Sequence, residues 1–123
     1  MSCGVPCIST DHRTGAREMI APGTDCRIKV TDRIDHAEHG ILIPVCSGDI
    51  GSSSGRKDGA VNTRPVTAEE VLLADAIEEL LKDKSLACRY SEAGLKRARE
   101  LSLKAAADQW ARLILGNTDQ KQH

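Results

Sequence analysis

Two short apolar runs constrain the fold of this chain most strongly. The first, Val5 to Thr10, is rich in β-branched residues and ends in a polar loop, and the second, Gly40 to Val45, is apolar on both faces. Apolar runs of this length between turn residues are typical of buried strands, and strands that are covered on both faces are typical of parallel sheets. The sequence therefore predicts an α/β fold with a partial parallel sheet, a right-handed helical crossover and flanking helices.

A polar loop and a short helix are predicted after the first run. Gly15 permits backbone conformations with positive φ, and Ala16 to Ile20 would form the first turn of the helix. The first N–H groups of a helix have no partner within it and attract anions. Since ligands of open α/β sheets bind at the carboxyl ends of the strands, this loop is the predicted binding site.

A capping box marks the start of a longer helix in the second half of the chain. The Thr67 side chain can accept from free N–H groups of the first turn, and Glu70 can reach back to the Thr67 backbone. Four apolar side chains then recur with helical spacing and are predicted to face the sheet: Leu73, Ile77, Leu80 and Leu81.

Further helical segments make the carboxyl-terminal part helical. One is predicted from about Leu86 to Glu100, with a break near Ser91, whose side chain can cap a restart. Ser102 is the predicted N-cap of the last helix. One face of that helix is apolar: Leu103, Ala106, Ala107, Trp110, Leu113 and Ile114. Residues 116–123 are expected to form a polar tail, and the Gly- and Ser-rich stretch 46–65 a flexible surface loop.

Composition excludes several classes of function. The 17 basic and 18 acidic residues give no electrostatic surface for nucleic acid, and the two aromatic residues give no stacking platform for bases. Five irregularly spaced cysteines fit a reducing cytoplasm better than a disulfide framework, and their spacing departs from that of structural zinc sites. We therefore expect a cytoplasmic protein without nucleic acid or metal. The basic cluster Lys96, Arg97 and Arg99 is interpreted as a solvated helix face.

The chain resembles the carboxyl-terminal, nucleotide-sugar-binding domain of GT-B glycosyltransferases of the group 1 type. The residues that carry the resemblance near the start are Gly-Val-Pro, Ser-Thr-Asp, Arg-Glu-Met-Ile and Gly-Ile-Leu-Ile-Pro-Val. Toward the end they are Arg-Tyr-Ser-Glu-Ala, Leu-Ser, Trp110 and Leu-Ile. The similarity covers residues 1–115.

The resemblance implies a partial Rossmann-like domain over residues 1–115 and retaining transfer of a sugar from a nucleotide-diphosphate sugar, with no bound metal or other cofactor. The Glu pair that grips the donor in that family would precede Met1, and the acceptor-binding domain is absent. We therefore expect a fragment or split subunit that is inactive alone and needs the missing amino-terminal domain or a partner chain. The whole enzyme would act in cell-surface polysaccharide or glycan synthesis, with peripheral membrane association.

No residue is predicted to act as a catalytic group, but five are predicted to bind the donor: Thr10, Asp11, Gly15, Arg17 and Glu18. His12 is a further candidate for a sugar hydroxyl or phosphate, and Arg13 for a phosphate. Local turns and compensation of the helix charge explain the same residues without a ligand. A non-catalytic alternative therefore stays open, in which the chain is an α/β remnant or assembly module that pairs through a sheet edge and the Trp110 face.

Overall fold

The computed structural model describes residues 1–47 and 65–116. Its strands and helices, in chain order, are β1 (Ile8–Thr10), α1 (Ala16–Ile20), β2 (Asp35–His36), β3 (Ile41–Ile43), α2 (Ala68–Lys82), α3 (Lys84–Glu100) and α4 (Leu103–Gly116). Nearly all of the predicted loop at 46–65 and of the predicted tail at 116–123 lies outside the described residues. Within the described ranges, no helix is long and apolar enough to cross a bilayer.

Within the described residues, the sheet has three strands in the order β1-β3-β2, with β3 in the centre. β1 runs parallel to β3, with Ile8 opposite Ile41, whereas β2 runs antiparallel to it, with His36 opposite Ile41. The α/β class and the parallel pair of strands are confirmed, but the predicted partial parallel sheet is a mixed sheet in the structure. A hairpin turn from Ala37 to Gly40, closed by the Ala37 N–H and the Gly40 carbonyl at 3.0 Å, adds the antiparallel β2.

Apolar side chains pack on both faces of the sheet. Along β3, Leu42 points to one face while Ile41 and Ile43 point to the other, and all three are buried. The first face holds the cluster Ala16, Ile20, Ala21, Val30 and Leu42. The second face holds the cluster Ile41, Ile43, Ala76 and Tyr90. The sheet therefore lies between α1 on one side and α2 with α3 on the other.

Side-chain caps set the starts of α2, α3 and α4. Thr67 and Glu70 form the predicted capping box, with the Thr67 N–H donating to Glu70 Oε2 at 2.9 Å. Ser102 Oγ accepts from the backbone N–H three residues later at 3.2 Å, as predicted for α4. Asp83 caps α3 in the same way at 2.9 Å, so α3 begins earlier than the sequence indicated.

The buried face of α2 is rotated from the predicted one. Leu73 and Leu80 pack around the fully buried Ala76, whereas Ile77 and Leu81 are exposed. The small Ala76 side chain lets the helix axis lie close to β3, and its neighbours one turn away on either side complete the contact.

α3 is continuous, so the predicted break at Ser91 is wrong. The Ser91 hydroxyl donates to the Gly4 carbonyl at 2.6 Å instead of capping a new helix. One residue earlier, Tyr90 is buried, and the Arg89 guanidinium lies 5.0 Å from the centre of its ring. α3 therefore holds the amino-terminal segment and the second core cluster together.

α4 contributes no buried residue to the core. Its apolar face is exposed to solvent, and the exposed fractions of Leu103, Trp110, Leu113 and Ile114 lie between 62% and 87%. A contiguous apolar face of this kind is typical of a surface that contacts another protein.

Candidate functional site

A cleft lies where β1 and β3 end. The Asp11 N–H donates to the Ile43 carbonyl at 2.8 Å, and beyond this hydrogen bond a concavity of about 530 Å³ opens. We call it the rim cleft. Its polar lining comes from the loop after β1, the segment before β2 and the first turn of α2, and includes His12, Arg13, Lys29, Thr31 and Glu69. The position and the volume are those of ligand sites in open α/β sheets.

A second concavity of about 600 Å³ lies between α1 and the end of α3, and we call it the α1 groove. Its walls include Gly15 and Met19 on the α1 side and Ala98 and Leu101 on the α3 side. His12 lines both concavities, so the loop after β1 is the wall that they share.

Two of the predicted donor-binding residues form a buried ion pair under the rim cleft. Arg17 Nε lies 3.1 Å from Asp11 Oδ2, and the side chains are 7% and 0% exposed, respectively. Asp11 also accepts from the Val30 N–H at 2.9 Å and lies 3.5 Å from Lys29 Nζ. Arg17 in turn reaches Asp35 at 3.3 Å. The pair thus joins the loop, α1 and β2, and its charged groups are engaged within the protein.

The other three predicted residues lie around the same loop. Thr10 is the last residue of β1 and is half-buried. Gly15 is the N-cap of α1 with a φ of 88°, which confirms the predicted positive φ, and it lines the α1 groove. The Glu18 side chain is exposed on α1 and lines neither the groove nor the rim cleft. Contact of these residues with a donor stays a prediction.

Sequence reasoning missed two cations near the site. Lys29 lines the rim cleft, and it comes close to Asp11 only because the segment before β2 folds back over the loop. Arg97 donates to the Glu18 and Met19 carbonyls at 2.7 and 3.1 Å, so the interpretation as a solvated side chain is wrong for this residue. These last contacts span 79 and 78 residues, and no local pattern could have indicated them.

Metal-ligating side chains are not gathered in the parts of the chain that the structure describes. Within residues 1–47 and 65–116, no group of three His, Cys, Asp or Glu side chains is arranged to hold an ion. The five cysteines carry free thiols.

Protonation of the Asp11 carboxylate is expected to lower the free energy of unfolding in acid. Burial alone would raise its pKa, but hydrogen bonds from Arg17 and Val30 outweigh burial, so the pKa lies below its ordinary value. Its stabilising contribution is complete above the pKa of an unfolded aspartate, about 3.9, and is lost as the pH falls through the lower folded value. We expect the free energy of unfolding, measured in urea between pH 6 and 3, to fall more steeply in the wild type than in Asp11→Asn. Equal pH dependence of the two proteins would contradict this, since all other carboxylates are common to both.

Comparison with known proteins finds a relative that matches nearly the whole chain. The chain is similar to an uncharacterized glycosyltransferase of Methanocaldococcus jannaschii, with 32% identity over 119 residues. The match covers 94% of this chain and 27% of the relative, so the chain spans about a quarter of the length of that protein. No protein-family model matches the chain. No solved structure matches it either.

Proposed function

We propose that this chain is the donor-binding part of a glycosyltransferase. The observation that carries the proposal is the 32% identity, across 94% of the chain, to a protein named as a glycosyltransferase. The geometry supports it, because the loop after β1 lies at the carboxyl ends of the parallel strands and borders two concavities. The substrate would be a nucleotide-diphosphate sugar, and no further cofactor would be needed.

The rim cleft offers suitable groups for a diphosphate. Arg13 and Lys29 line it and would contact phosphate oxygens, Arg13 through its planar guanidinium fork. His12 and Thr31 could hydrogen-bond to sugar or ribose hydroxyls. The buried Asp11–Arg17 pair, which lies beneath the rim cleft, would fix the conformation of the loop after β1. In a transfer with retained configuration, the bond between the anomeric carbon and the diphosphate oxygen would break, with its electrons leaving on the diphosphate, while the acceptor hydroxyl oxygen would bond to that carbon and release its proton. Cations at this position would stabilise the departing charge.

A complete glycosyltransferase would need more than this chain. We propose that it works with an amino-terminal acceptor-binding domain or partner chain, that it is inactive alone, and that the whole enzyme acts in the cytoplasm on a cell-surface glycan. The exposed face of α4, with Trp110 at its centre, would offer such a partner an apolar contact surface.

Nucleotide binding tests the proposal. Titration of the chain with uridine, guanosine and adenosine diphosphates in a calorimeter should give saturable binding for at least one of them. Arg13→Gln is expected to weaken that binding about tenfold, because it removes a charge-assisted hydrogen bond of about 1.5–3 kcal/mol. Glu18→Gln tests the predicted donor contact of that carboxylate in the same titration. Because Glu18 lies outside the lining of both concavities, weaker binding in this variant would require a direct contact with the donor, and an unchanged dissociation constant would contradict the predicted contact.

The matched control is Arg33→Gln. It makes the same change of charge at an exposed arginine outside the lining of both concavities, so it should leave the dissociation constant unchanged. Equal weakening by Arg33→Gln and Arg13→Gln would indicate attraction by net charge rather than a site. Binding of none of the three diphosphates to the folded chain would refute the proposal.

A second candidate is the non-catalytic assembly module. The exposed apolar face of α4 is the observation that favours it, since this face does not pack against the core of the described residues. A folded chain that binds no nucleotide and changes its oligomeric state on Trp110→Lys would support the module instead of the donor-binding function.

A further inference from the structure

We infer that Arg97 is a positioning residue for donor binding, because it fixes the distance between the two walls of the α1 groove. This inference rests on the proposed function. Arg97 does not line either concavity, so it would act through α1 and not by contact with the donor.

Arg97 donates hydrogen bonds to specific backbone carbonyls of α1, and its side chain is largely shielded from solvent. From the last turn of α3, its Nη2 donates to the Glu18 carbonyl at 2.7 Å and its Nε donates to the Met19 carbonyl at 3.1 Å. Nη1 pairs with Glu100 at 3.0 Å, which fixes the plane of the guanidinium. The side chain is only 16% exposed, although it belongs to a charged helix end. One cation therefore binds two adjacent carbonyls of a different helix.

α1 depends on such a contact. It has five residues, and a helix of that length is not stable by itself. Its last carbonyls have no partner within the helix, and the negative end of its dipole favours a cation. Arg97 satisfies two of these carbonyls, and the His39 N–H satisfies that of Ile20 at 2.9 Å. The carboxyl end of α1 is thus held by groups from outside the helix.

The hydrogen bonds from Arg97 to α1 affect the width of the α1 groove. Ala98 and Leu101 line the groove on the α3 side, and Gly15 and Met19 line it on the α1 side. Arg97 is the neighbour of Ala98, so its hydrogen bonds set how far α1 lies from α3. Loss of these bonds would let α1 move and would shift Gly15 and the loop before it, which borders the rim cleft.

Variants of Arg97 separate positioning from general stability. Arg97→Gln should raise the dissociation constant of the nucleoside diphosphate about tenfold, and Arg97→Lys about threefold, because an ammonium can still donate to one carbonyl. Arg99→Gln, the same change at an exposed arginine of the same helix, should leave it unchanged. Leu80→Ala, which removes packing on the opposite face of the sheet, should lower stability without changing affinity.

Amide exchange supplies a second readout. The Ala21 N–H, which donates to the Arg17 carbonyl at the end of α1, should exchange faster in Arg97→Gln, while the Asp11 N–H should keep its protection. Equal affinity in wild type and Arg97→Gln would overturn the inference and leave the proposed function intact. Absence of binding in the wild type would overturn the proposed function and the positioning role with it, and the exchange of Ala21 would then report only a structural contact.

Discussion

Replacement of Asp11 by asparagine is expected to lower the free energy of unfolding by about 3–5 kcal/mol. The change leaves the Arg17 guanidinium, 7% exposed, without its main counter-charge. The amide oxygen of the new side chain could still accept from the Val30 N–H, so the loss measures the missing charge and not a missing hydrogen bond to the backbone. Urea unfolding followed by circular dichroism would measure it. Since small domains have about 5–15 kcal/mol in all, the variant should keep only part of its stability and unfold at a much lower urea concentration.

Two further variants show whether burial of the pair explains the loss. Asp25→Asn breaks the pair with Arg27, in which both partners are exposed, and it should leave stability almost unchanged. The double variant Asp11→Asn with Arg17→Met removes both buried charges, and it should recover most of the stability lost by the single variant. If the effects of the two substitutions simply add, the Asp11–Arg17 contact is not the origin of the loss.

The sequence indicated the position of Asp11 and Arg17 but not their state. Asp11 lies in a polar loop and Arg17 in the first turn of a helix, and such positions are usually exposed, so the sequence favoured contact with a ligand. No neighbouring residue in the sequence indicated that the two side chains would be buried. Burial comes from Val30 and Asp35, which lie 19 residues from Asp11 and 18 from Arg17 and close over the pair in the folded chain. A local pattern contains no information about such closure.

Local signals predicted the elements that local physics determines. The apolar runs that became β1 and β3 and the capping side chains Thr67 and Ser102 were predicted correctly, since each depends on neighbours within a few residues. β2 was missed because Asp35 and His36 are polar and form a strand only by pairing with β3. The face of α2 was misplaced because four apolar residues with helical spacing do not reveal which of them the sheet will cover.

Gly40→Ala is the second substitution with a large expected effect. A Cβ atom at Gly40 would lie 2.5 Å from the Cys7 carbonyl oxygen, and a backbone atom cannot turn away as a side chain can. The same carbonyl accepts from the Ile41 N–H at 3.0 Å where β1 begins to pair with β3. Relief of the clash must therefore separate the two strands, and we expect a loss of about 3 kcal/mol or more in the free energy of unfolding in urea.

Gly23→Ala is the matched control for Gly40→Ala. Gly23 has a φ of 82°, and a Cβ atom there meets nothing within 4 Å, so this variant isolates the cost of the backbone conformation, about 1–2 kcal/mol. A larger loss in Gly40→Ala would assign the difference to the approach of the Cys7 carbonyl. Because that carbonyl fixes the start of the parallel pair, the variant should also disturb the other end of the strands and weaken nucleotide binding at the rim cleft. Equal losses in the two variants would mean that the strands can part without cost, and the rigid rim on which the proposed donor site depends would not exist.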